Sequence, residues 1–196
     1  MGQLFEAVVD YLNEDDWKYN VVKDDTALVL SFRGRSGSWQ CFANVDEERH
    51  WFSFFSILPS NVPEDKRPTI AEFLTRANYG LVIGNFEMDY NDGEVRYKTS
   101  IDVEGGELSP KMIENMMQAN LMTMDRYFPG LMSVLYGGRD PAESIADIEG
   151  GHSEEAEEED ELPDFQEGEE DESTEEGGDG DLDFGDSPED KGEEKP

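Results

Sequence analysis

Leu81-Val82-Ile83-Gly84-Asn85-Phe86-Glu87-Met88-Asp89-Tyr90, then Asn91-Asp92-Gly93, then Glu94-Val95-Arg96-Tyr97-Lys98-Thr99-Ser100-Ile101-Asp102-Val103: this stretch decides the fold class. Two segments with apolar residues on one face flank an Asp-Gly pair. Glycine supplies the positive φ of a tight turn, and the period of two turns one face of each strand to a core, so the stretch reads as a β-hairpin. On its C-terminal side, Ser109-Pro110 opens a long helix, with Ser as cap and Pro at the first helical position. The helix runs to about Phe128, Pro129-Gly130 kinks or restarts it, and Gly137-Gly138 ends it. A short helix from Pro141 to about Ile148 closes the domain. On the N-terminal side, Thr69 and Glu72 read as a capping box for a helix over Ile70–Tyr79, with Gly80 as its stop. Trp51–Leu58 is apolar on both faces, which suits a central strand. Ser38–Val45, Ala27–Phe32 and Trp17–Val22 read as further strands, joined by a Gly34–Gly37 hairpin loop and an Asp24-Asp25 turn. Leu4, Phe5, Val8, Val9 and Leu12 have helical spacing. The order α-β-β-β-β-α-β-β-α, with the short closing helix, makes an α+β domain whose antiparallel sheet is backed by helices.

Charge divides the chain of 196 residues at about position 149. Glu149 to Pro196 carries 24 acidic residues against Lys191 and Lys195, a net −22, while the preceding 148 residues hold 25 acidic and 13 basic ones. Only Leu162, Phe165, Leu182 and Phe184 are sizeable apolar side chains in the acidic stretch. It cannot offset the roughly 1–2 kcal/mol per residue of backbone entropy lost on folding. The expectation is a folded domain over 1–148 and a disordered acidic tail over 149–196.

The acidic balance argues against direct nucleic-acid binding, which needs clustered Lys and Arg. The Arg33-Gly34-Arg35 spot is a hairpin tip. No run approaches the roughly 20 apolar residues of a membrane span, and the start lacks the charge and apolar run of a signal peptide. A lone Cys41 permits no internal disulfide, so a reducing cytoplasm is the expected setting. No catalytic residue is assigned. Cys41 lies in a strand beside Phe42 with no evident base, and His50 and His152 are far apart. The two His and one Cys have no zinc spacing. Asp179, Asp181 and Asp183 imitate a calcium loop, but its obligatory glycine is replaced by Phe184. No metal or cofactor is expected.

Asn78-Tyr79-Gly80, Gly84-Asn85-Phe86-Glu87-Met88-Asp89 and Gly93-Glu94-Val95-Arg96-Tyr97, followed by Ser109, a long helix, Pro129 and Gly137, resemble the YbjN family of bacterial proteins over roughly residues 3 to 148. The resemblance implies a fold like that of type III secretion chaperones, small acidic dimers that bind other polypeptides, and a regulatory role. It carries over no catalytic or ligand residues and does not extend to the acidic tail.

The long helix holds Met112, Met116, Met117, Met122 and Met124, more apolar surface than one sheet-facing stripe requires. Methionine adapts to varied partners. Met112, Met116, Leu121 and Met122 are therefore candidate partner-binding residues, in a homodimer or a client contact. Failing that, the surface lies on the outer face of the sheet. In the tail, Phe165 and Phe184 are candidate anchors for a docked peptide. The expected function is a non-enzymatic protein-binding module, chaperone-like or regulatory. The alternative is a tail that binds a basic protein or mimics nucleic acid, with the folded domain as its carrier.

Overall fold

The computed structural model describes residues 2–22 and 26–150. Helix α1 (Gln3–Glu14) precedes strands β1 (Tyr19–Val22), β2 (Ala27–Arg33), β3 (Ser38–Asp46) and β4 (Trp51–Ile57). A 3₁₀ turn (Glu64–Lys66) leads into α2 (Arg67–Gly80), then β5 (Asn85–Met88), β6 (Val95–Asp102), α3 (Pro110–Gly137) and α4 (Pro141–Gly150). The six strands form one antiparallel sheet in the order β1-β2-β3-β4-β6-β5. The continuous apolar run of β4 thus lies inside the sheet, as its two apolar faces predict.

Alternation sends Leu28, Leu30, Trp39, Cys41, Phe52, Phe54 and Tyr97 to one face. There they form a single core with Phe5, Val8 and Leu12 of α1, Phe73 of α2 and Met117, Met124 and Leu131 of α3. A polar rivet crosses this core. Fully buried Asn120 of α3 donates to the carbonyls of Phe54 (2.9 Å) and Tyr97 (3.0 Å) and accepts from Ser56 Oγ (2.7 Å), which in turn accepts from the Trp39 indole (2.9 Å). A buried amide so placed is satisfied in one helix position only, so it fixes the register of α3 on the sheet.

The hairpin is present but shorter than the alternation suggests. β5 begins at Asn85, because Gly84 sits at φ +81° and a Cβ there would lie 2.5 Å from the Lys98 carbonyl oxygen. That left-handed residue cuts Leu81–Ile83 out of the ladder. Trp17 also lies outside β1. Asp16 takes a left-handed φ of +56° after α1, and Trp17 N–H reaches back to the Leu12 carbonyl at 2.8 Å. The Thr69–Glu72 capping box does not form. The 3₁₀ turn runs directly into α2, which starts at Arg67, so Thr69 is already inside the helix and Glu72 pairs with Arg76. Pro129 neither breaks nor restarts α3, one helix of 28 residues capped by the Ser109 side chain and ended by Gly138 at φ +67°. Finally, α4 runs on to Gly150, two residues past the end expected at about Ile148.

Candidate interaction surface

The second face of the sheet takes the alternate residues. Paired registers set Val29, Phe42, Phe55 and Lys98 side by side in one row and Gln40, Ile57, Arg96 and Glu87 in the next. The helices join the core on the opposite face, so among the described residues no helix is part of this one. Phe55 is nevertheless only 7% exposed. The Arg96 guanidinium stands 4.8 Å over its ring, a cation–π contact that shields the ring while the charge stays in water. Arg96 bonds Glu87 at 2.9 Å, and Lys98 pairs with the same carboxylate. Burial would raise the Glu87 pKa, but the hydrogen bonds and charges of Lys98 and Arg96 outweigh it and hold it below the ordinary value. Two cations thus share one anion beside an apolar centre, on a chain of net charge −34.

Further apolar groups stand clear at the margins. Trp51, 45% exposed, carries the Arg49 guanidinium 5.3 Å over its ring. Before β5, Tyr79 and Val82 are each 96% exposed and Ile83 is also exposed, and after it Tyr90 is exposed. The β5 edge itself is partly closed. The Asn78 side chain accepts from Phe86 N–H at 2.7 Å and donates to its carbonyl at 3.0 Å, so one amide occupies the hydrogen-bonding groups a further strand would use there.

Of the candidate partner-binding residues on α3, Met116 and Leu121 are buried in the core and Met112 is half-buried against it. Met122 alone of the four is exposed, at 55%. The helix is covered on more than one side, by the sheet, by α1 and α2, and by α4, which absorbs the apolar surface that a single stripe would leave over. Phe165 and Phe184 lie outside the described residues, as do His152 and the Asp179–Asp183 cluster. Cys41 is buried, and that burial pushes its thiol up to about 12, against the lowering effect of its Ser56 and Trp39 hydrogen bonds. It is a protonated core residue, not a nucleophile. His50 is an exposed turn residue at φ +57°. The Asp89–Glu94 cluster folds on itself: Asp89 accepts from Asn91 N–H (2.7 Å) and Asp92 from Glu94 N–H (2.8 Å). Among the described residues no three or more His, Cys, Asp or Glu side chains group to hold a metal, and no helix is long and apolar enough to cross a membrane.

The capped Phe55 and the Asn78 clamp are the features sequence patterning missed. The doubly apolar run of β4 signalled the first. Nothing local signalled the second, because the partner of Asn78 lies across a loop.

Solved structures with a similar fold include the following three. YbjN from E. coli is 11% identical over 64% of this chain and 91% of that one, with a TM-score of 0.47. The HopA1–SchA chaperone–effector complex contains a chain 18% identical over 62% and 91%, TM-score 0.42. The ExsC–ExsE complex contains one 12% identical over 65% and 94%, TM-score 0.44. No curated protein matches the sequence. The family model of YbjN, described as "Putative bacterial sensory transduction regulator", matches residues 5–132, well over half of the chain and all six strands. The chain belongs to the YbjN family.

Proposed function

We propose that the chain is a non-enzymatic protein-binding module with a regulatory or chaperone-like role, and that the uncovered face of its sheet receives the partner. The carrying observation is that face: Val29, Phe42, Phe55 and Ile57 set in adjacent rows, with Arg96 over the Phe55 ring and no helix of the described residues packed on them. Cation-capped aromatics beside exposed Trp are the composition of protein interfaces, where Trp, Tyr and Arg carry most of the energy. Family membership supports the regulatory part. A photo-crosslinking residue placed in the full chain at Ile57 or Trp51 should trap a polypeptide, either a client or a second copy, in its native cell extract. The same residue at exposed Glu6 of α1 serves as control. Crosslinks no stronger at Ile57 and Trp51 than at Glu6 would remove this reading.

A second reading rests on the charge division. The acidic residues from Glu149 onward, with Phe165 and Phe184 as anchors, would form an unfolded tail that engages a basic protein, with the folded domain as carrier. The two readings separate cleanly. Neutralising tail carboxylates abolishes capture in the second and leaves the sheet-face crosslink intact in the first.

A further inference from the structure

We draw no further inference here: the strongest candidate, the exposed apolar patch of Tyr79, Val82 and Ile83 where α2 passes into β5, supports no proposal, because nothing among the described residues shows what covers it.

Discussion

Cys41 shows how burial decides the chemistry of a single residue. The thiol touches Ser56 Oγ at 3.5 Å inside the polar rivet of the core. Desolvation raises its pKa from the ordinary 9.0 to about 12, because a thiolate there would lose water and gain no cation. The consequence for stability has a definite sign. Between those two values the unfolded chain gives up a proton that the folded chain retains. The stabilisation is therefore complete below about pH 9 and is lost as pH rises toward 12. Tyr97 and Tyr127, raised by burial, act in the same direction. Urea unfolding at pH 8 and at pH 10.5 should show wild type losing stability, with Cys41 alone contributing about 1.4 kcal/mol per pH unit once its unfolded form ionises. Cys41→Ala should lose measurably less over the same interval. An equal loss in both chains would mean that Cys41 ionises as readily folded as unfolded.

Among the elements, α3 is where periodicity gave an incomplete account. Its capping Ser109, its N-terminal Pro110 and its terminal glycines are local signals, and the structure contains each of them. Which of its methionines face solvent is not a local property. That depends on α4, a short helix whose packing partner is Gly130, and on α1 and α2. A single sheet-facing stripe leaves Met116 and Leu121 ambiguous, and tertiary cover resolves them. The same reasoning explains β5: alternation extends back to Leu81, but the left-handed Gly84, forced by the Lys98 carbonyl across the hairpin, ends the strand. The place of β4 inside the sheet followed from the two apolar faces of Trp51–Leu58, because burial on both sides leaves a sequence trace. The contrast on α3 is measurable. Met116→Asp buries a carboxylate without a partner and should cost about 3–5 kcal/mol. Met122→Asp, on an exposed side chain, should stay within about 1 kcal/mol. Chemical denaturation of the two full-length variants decides this, and similar losses in both would contradict the burial assigned to α3.

At the scale of the whole molecule, composition rather than contact divides the chain. Hydrophobic side chains concentrate before Glu149, and the acids after it reach a net −22 over 48 residues. Close to one charge for every two residues, with four sizeable apolar side chains to oppose it, favours a chain that self-repels and stays solvated. Before Glu149 two of the cations stand over aromatic rings, Arg96 over Phe55 and Arg49 over Trp51. If the acidic residues form an unfolded tail as proposed, the dimensions of the full chain must follow ionic strength. Screening lengths are about 8–10 Å at physiological salt and about 30 Å at 0.01 M. Lowering salt brings like charges many residues apart into mutual repulsion, which expands an unfolded acidic stretch and leaves a packed α+β domain unchanged. Small-angle scattering should therefore give a radius of gyration that grows as salt falls. Tail neutralisation, by replacing Glu154, Glu155 and Glu157 to Glu161 with Gln or Asn as appropriate, should reduce that growth. A radius independent of salt from 0.01 to about 1 M, with dispersed and protected amide signals across 154–194, would mean that these residues fold, and the carrier reading of the domain would go with them.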